Sequence, residues 1–145
     1  MTKSDTIKML CLKIHNKTRS CVLLRQYPNY VWTLPVIEIS EEADPYYYID
    51  EALGQIKTSD DFQLISAVSI LETTQVPEDK PSEFYKSVIY EIGYKGEVYP
   101  ELPKGCYKTY SKSQWVTMEG LKSFGSLNYP TRAFVDILKE NECMK

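Results

Sequence analysis

The sequence predicts an α+β protein in which a β-sheet packs against two or three helices. Four segments are rich in apolar and β-branched residues, at 6–15, 20–26, 62–76 and 84–98, and each is bounded by a polar turn or loop. Two further segments, 45–57 and 129–142, repeat apolar residues at the spacing of an amphipathic helix. At 145 residues the chain fits one domain, residues 1–145.

The first two strands are expected to form an antiparallel hairpin at the centre of the sheet. The polar turn NKTR separates 6–15 from 20–26. His15 adjoins this turn, so we interpret it as a surface residue. The following segment, VWTLPVIEI, predicts a short strand that Pro35 confines to a sheet edge or a bulge.

The helix over 45–57 has the clearest start signal in the chain. Asp44 can cap the first amides, and Pro45 occupies the first helical position without losing a hydrogen bond. Its apolar residues recur at i, i+3, i+4 and i+7 and predict one continuous packing face: Ile49, Ala52, Leu53 and Ile56.

The remaining segments complete the sheet and close the chain with a helix. The strand over 84–98 is expected to carry an irregularity at Gly93, and the polar segment 77–83 reads as a loop. Trp115 and Val116 open a strand end, followed by a short helix. In the last helix, Pro130 lies near the start, and the predicted packing face contains Phe134, Ile137 and Leu138.

Charge and composition argue against several classes of function. The net charge is −3 and the cations are scattered, so nucleic acid is not favoured as a partner. The sequence shows no signal peptide and no apolar run of bilayer length, which predicts a cytoplasmic protein with no membrane partner. Four cysteines without a C-x-x-C pair, and a single histidine, predict reduced structural thiols and no metal site.

The order of these parts resembles the Nudix family. The shared features are a hairpin ending in VLLRQ with Arg25, the run W-x-L-P at 32–35, a helix, further strands, and W-V followed by a final P-T-R-A helix. The resemblance implies a Nudix-like mixed β-sheet packed between helices. It also implies Mg²⁺-dependent hydrolysis of a nucleoside diphosphate derivative, provided that the glutamates of the family motif G-x5-E-x7-R-E-U-x-E-E-x-G-U are present, where U is aliphatic.

Aligned without a gap on the Asp44-Pro45 cap, the motif is almost absent. Ile37 stands where the first glycine belongs, Ala43 at the first glutamate, Glu51 at the arginine, Ala52 at the adjacent glutamate, Gln55 and Ile56 at the glutamate pair, and Thr58 at the closing glycine. Only Leu53 agrees. A register shifted by four would align Gly54 and Glu51, but it breaks the alignment of the cap. Hard divalent ions need several oxygen ligands, so the sequence predicts no metal and no catalytic residue on this helix.

Two hypotheses of different class follow from this pattern. The preferred one is a Nudix-fold domain that has lost diphosphate hydrolysis, uses no cofactor, and binds a nucleotide-like ligand or a protein partner. A nucleotide-like ligand would meet Arg25, Tyr30 and Trp32, although for Arg25 a structural ion pair is the favoured role. Consecutive helical residues point in different directions, so at least one tyrosine of the run 46–48 is exposed and marks a candidate protein interface.

The alternative is an active hydrolase that binds Mg²⁺ through a different set of carboxylates: Glu38, Glu41, Glu42 and Glu51. Acidic residues before a helix also interact favourably with the helix dipole and are commonly only solvated. Metal-dependent stabilisation of the protein would distinguish this hydrolase from a binding module.

Overall fold

The computed structural model describes residues 6–39, 44–75, 84–106 and 109–143. The predicted loop 77–83 and the acidic residues Glu41 and Glu42 lie outside these ranges. In chain order the elements are β1 Thr6–Lys13, β2 Cys21–Gln26, β3 Trp32–Thr33, β4 Val36–Ile39, α1 Pro45–Leu53, β5 Lys57–Thr58, β6 Gln63–Gln75, β7 Phe84–Lys95, β8 Val98–Tyr99, a 3-10 turn Lys104–Cys106, β9 Lys112–Thr117, α2 Met118–Leu121 and α3 Tyr129–Cys143.

The main sheet is mixed and has the strand order β4-β1-β7-β6. β1 pairs parallel to β7, with Leu10 opposite Val88, and antiparallel to β4, with Leu10 opposite Ile37. A second sheet has the order β3-β2-β9, and β5 pairs with β8 in a two-stranded ribbon. The mixed sheet and its helices confirm the predicted α+β class.

The predicted hairpin of β1 and β2 at the centre of one sheet is wrong. The two strands belong to different sheets, and they meet only near the turn, through a bridge between His15 and Val22. The reason is that both edges of β1 are already occupied by β4 and β7, so beyond the turn β2 pairs with β3 and β9. His15 is half-buried and belongs to this bridge, not to an exposed turn.

Helix α1 begins as predicted and ends earlier than predicted. The Asp44 carboxylate accepts a hydrogen bond from the Tyr46 amide at 3.0 Å, which confirms the N-cap. The helix stops at Leu53, because Gly54 caps it and the next amides bond three residues back, with Ile56 donating to the Leu53 carbonyl at 3.1 Å. Ile56 therefore continues the apolar face from a turn and not from the helix.

Two apolar clusters occupy the two faces of the main sheet. On one face, α1 packs against Leu10, Leu12, Val88 and Ile92 of the sheet. The other face packs against α3 and the second sheet, and its cluster is formed by Cys11, Val22, Leu24, Leu34, Ile89, Val116, Leu121, Phe134 and Val135. The sheet is thus packed between helices, as the resemblance implied.

Pro35 separates β3 from β4, so the segment forms two strands and not the single short strand predicted, but each strand lies at the edge of its sheet, as expected. In α3, Phe134 is buried and Leu138 is half-buried, in agreement with the predicted packing face. Ile137 is exposed and does not belong to that face. Across the part of the chain that the structure describes, no helix combines the length and hydrophobicity that crossing a membrane requires.

Candidate functional site: the cleft beside helix α1

The inward face of α1 is closed by apolar packing. Ala52 and Ile56, at two glutamate positions of the motif, are each only 5% exposed and lie in the cluster with Ile49 and Leu53. Neither side chain carries an oxygen atom. These residues do not fit a divalent cation, which requires several oxygen ligands at the protein surface or in a polar cavity.

The polar residues of this region point to solvent. Glu51 and Gln55 are exposed, and so is Glu38 on β4. Among residues 6–39, 44–75, 84–106 and 109–143, no three His, Cys, Asp or Glu side chains are grouped so as to hold a metal ion. The hypothesis of an acidic metal site also needs Glu41 and Glu42, which lie outside the described residues.

Arg25, for which the sequence predicted a place in a ligand cleft, is 2% exposed. Its Nη2 donates a hydrogen bond to the carbonyl oxygen of Gln55, at 2.5 Å, just beyond the end of α1. Its guanidinium carbon lies 5.1 Å from the ring centroid of Tyr110. The arginine therefore joins β2 to the end of α1 and is screened from solvent, which fits a structural role.

The ring of Tyr110, which lies over the arginine, also packs against a second tyrosine. The rings of Tyr27 and Tyr110 lie 5.2 Å apart, and together with Leu102 they form a small separate cluster. Burial raises the pKa of the Tyr27 hydroxyl, so this group stays protonated at neutral pH. Tyr110 thus occupies the space above Arg25, a feature that the sequence alone did not indicate.

The other two predicted ligand-binding residues have different surroundings. Tyr30 is 73% exposed and has a φ of 71°, in a turn closed by a hydrogen bond from its amide to the Tyr27 carbonyl. Trp32 is half-buried, and its ring contacts Phe124 edge-on at 5.5 Å. Arg25, Tyr30 and Trp32 therefore have different surroundings, although Trp32 pairs with Gln26, the residue next to Arg25.

A cavity that the sequence did not indicate lies beside the turn after β1. It is a groove of about 530 Å³ between the turn after β1 and the strands β6 and β7. Its lining residues are His15, Asn16, Lys17, Arg19, Ile65, Ser66, Gly93, Tyr94, Lys95 and Gly96. The signal available in the sequence was the pair of cations in the NKTR turn, which reads as an ordinary solvated loop.

Comparison with known proteins finds similarity in structure only. No protein-family model and no curated protein matches the sequence. Among solved structures, the MutT Nudix hydrolase of Burkholderia pseudomallei superposes with a TM-score of 0.64 at 13% identity, covering 91% of this chain and 97% of that one. The E. coli ORF135 protein gives a TM-score of 0.65 at 10% identity, covering 97% and 91%. A C. elegans Ap4A hydrolase gives 0.56 at 16% identity, covering 95% and 96%.

These alignments extend over nearly the whole of each chain, so the similarity is not confined to a local motif. At this level of identity, the likeness establishes the fold and leaves the chemistry to the residues of the site. The mixed sheet between α1 and α3 and these superpositions together show that this chain has the Nudix fold.

Proposed function

We propose that this chain is a cytoplasmic Nudix-fold domain that does not perform metal-dependent diphosphate hydrolysis and acts as an interaction module. One observation carries the proposal: Ala52 and Ile56, at two glutamate positions of the family motif, are buried in the core. A hydrolase of this type needs carboxylates at these positions to hold the metal that balances the charge of the substrate.

The surroundings of Arg25 support the same conclusion. An arginine that receives a substrate phosphate must present its guanidinium to the cleft. Here the guanidinium is buried, bonded to the Gln55 carbonyl and covered by the Tyr110 ring. A phosphate could reach it only after this contact opened, so the arginine is better suited to hold the scaffold together than to bind an anion.

Two alternatives remain as outcomes of the experiment. One is a nucleotide-like ligand bound by Arg25, Tyr30 and Trp32 without hydrolysis. The other is a Mg²⁺-dependent hydrolase that uses Glu38, Glu41, Glu42 and Glu51. The solved structures that resemble this chain include hydrolases, which is why the second alternative is tested directly.

The test measures thermal stability and product release for the purified protein. Nucleoside diphosphates, dinucleoside polyphosphates and nucleotide sugars are added with Mg²⁺, with Mn²⁺ or with a chelator. We expect no metal-dependent stabilisation and no hydrolysis above a blank. A metal complex present at 100 times its dissociation constant would instead add about 2.7 kcal/mol to the free energy of unfolding.

Hydrolysis that Glu51→Gln abolishes and Asp50→Asn leaves intact would overturn the proposal. Both residues are exposed neighbours on α1, so the second variant controls for the loss of a charge. A nucleotide that stabilises the protein in the presence of chelator, and no longer does so in Trp32→Ala, would show that the ligand is a nucleotide and not a protein.

A further inference from the structure

Strand β6 carries two bulges, and both add an aliphatic side chain to one face of the sheet. The register of β6 against β7 shifts between Leu64 and Ser66, and again between Ser69 and Leu71. Ile65 and Ile70 are the extra residues. A bulge places two residues opposite one, so both residues lie on the same side of the strand pair. The first bulge lies opposite Gly93, the position of the predicted irregularity.

These extra residues join a stripe that α3 covers at one end only. Leu71 packs into the cluster beneath α3, whereas Ile65, Val68 and Ile70 are exposed by 54%, 57% and 40%. Val68 pairs with Glu91, and Leu71 pairs with Ile89, which places Val68 and Leu71 on the α3 side of the sheet. The sheet therefore extends its apolar face beyond the helix and into a groove.

The opposite wall of the groove is the turn between β1 and β2. The cavity of about 530 Å³ and a neighbouring one of about 210 Å³ share Arg19, Ser66 and Gly93, so they form one elongated groove along β6 and β7. Gly93 forms its floor. A Cβ atom at this position would lie 2.4 Å from the Ser66 Oγ. Because glycine has no side chain, this part of the groove stays open.

The larger part of the groove is positively charged in a chain whose net charge is −3. Its lining contains Lys17, Arg19 and Lys95 and no carboxylate, whereas the smaller part contains Glu91, which pairs with Lys13 at 3.1 Å. Lys17 pairs with Glu97 at 3.0 Å. Arg19 and Lys95 form no ion pair with any residue of the described ranges, so two cations are available to an incoming anion.

Building on the proposed interaction module, we propose that this groove binds an extended acidic and apolar segment of a partner protein. The aliphatic stripe provides contacts for apolar side chains, and Arg19 and Lys95 provide contacts for carboxylates. The five residue steps from Ile65 to Ile70 span about 17 Å at the rise of a strand. That length fits several consecutive peptide side chains along the stripe.

The apolar stripe favours a peptide over a nucleotide. A nucleotide in this groove would place its phosphates near the cations, but it would leave the three aliphatic side chains with no apolar partner. A peptide in which glutamate and valine alternate satisfies both features. In an extended chain, alternate residues point to opposite sides, so one side can face the stripe while the other reaches Arg19 and Lys95.

The experiment uses a fluorescein-labelled peptide of twelve residues in which glutamate and valine alternate, titrated with the whole protein and followed by anisotropy. Matched peptides carry lysine for glutamate, or serine for valine. We expect only the glutamate-valine peptide to bind. The double variant Arg19→Asn and Lys95→Gln should weaken binding about tenfold, because each exposed ion pair contributes modestly. Asparagine tolerates the φ of 60° found at Arg19.

Matched variants separate the groove from general effects of charge and hydrophobicity. Lys104→Gln with Lys139→Gln removes the same charge from exposed positions outside the groove and should leave binding unchanged. Ile65→Thr should weaken binding severalfold, while Ile137→Thr on α3 should not. Amide shifts on adding the peptide, measured by heteronuclear NMR, are expected at 15–19, 65–70 and 91–96.

No binding by the glutamate-valine peptide at 1 mM would overturn the inference, as would amide shifts confined to the cleft around Arg25. Displacement of the bound peptide by an equal concentration of ADP would also overturn it, because the groove would then favour a nucleotide. These outcomes are independent of the hydrolysis assay. If the peptide does not bind and no hydrolysis is found, the proposed partner is wrong but the proposed loss of catalysis stands. If metal-dependent hydrolysis is found, the proposed function itself is wrong.

Discussion

Replacing the buried Ile56 with glutamate tests whether the motif face of α1 is committed to packing. Gln55 is its matched control. The two residues are neighbours and both align with the glutamate pair of the family motif, but Gln55 is exposed and Ile56 is 5% exposed. If this face bound a metal ion, the protein would tolerate glutamate at both positions. If it is core, only Gln55→Glu is tolerated.

The magnitude follows from the burial of Ile56. Removing a fully buried isoleucine side chain forfeits about 1.5–3 kcal/mol of hydrophobic stabilisation. A carboxyl group placed there without a hydrogen-bond partner adds a desolvation penalty of about 1–3 kcal/mol. The free energy of unfolding should therefore fall by about 2.5–6 kcal/mol, against a total of about 5–15 kcal/mol for a typical domain. Gln55→Glu should stay within about 0.5 kcal/mol.

Urea denaturation followed by circular dichroism measures both variants at pH 7 and pH 5, with and without Mg²⁺. Burial should raise the pKa of the introduced carboxyl above its unfolded value of about 4.3. The deficit of Ile56→Glu is then largest above the folded pKa, and it shrinks as the pH falls through that value. An Ile56→Glu protein within 1 kcal/mol of the parent, or one stabilised by Mg²⁺, would refute the reasoning.

Four further outcomes are expected. Arg25→Met should lower the free energy of unfolding by about 2–4 kcal/mol, because it removes a charge-assisted hydrogen bond and a cation–π contact; unchanged stability in urea would contradict the structural role. Gly96→Ala should lower the free energy of unfolding by about 1–3 kcal/mol, since Gly96 has a φ of 90°. In the control Gly105→Ala, the added Cβ would meet no atom of a non-neighbouring residue within 4 Å, so the melting temperature should not shift. Burial raises the pKa of the Cys11 thiol to about 12, so mass mapping should find it unlabelled by iodoacetamide at pH 8 in the native protein and labelled in urea. Burial lowers the pKa of His15, so its NMR titration should have a midpoint below 6.5. The unfolded chain then binds the proton more readily than the folded protein. The stability associated with neutral His15 is therefore present above pH 6.5 and is lost as the pH falls below about 6.5.

The elements that the sequence predicted well depend on local chemistry. The Asp44-Pro45 cap, the restriction of the Pro35 segment to sheet edges and the apolar spacing of Ile49, Ala52 and Leu53 all act within a few residues of the chain. The exposure of Tyr46 and Tyr47 follows from the same helical geometry and is confirmed. The end of α1 was placed too late, because Gly54 competes with an apolar pattern that continues to Ile56.

The errors concern partners that are distant in sequence. Nothing between residues 6 and 26 indicates that β7 and β4 occupy both edges of β1, which is why the expected central hairpin opens into two sheets. The groove has the same origin, since it brings the turn after β1 next to the bulges of β6. The covering of Arg25 depends on Tyr110, which is 85 positions further along the chain.

The sequence by itself determined that Ala52 and Ile56 carry no side-chain oxygen, because side-chain chemistry does not depend on folding. Only the tertiary structure decided that these two residues are buried in the core and that Arg25 is covered by the Tyr110 ring. It also decided that a cationic groove lies beside an exposed aliphatic stripe. Composition and periodicity describe one segment at a time, whereas burial, charge pairing and cavities arise from contacts between segments that only the folded chain brings together.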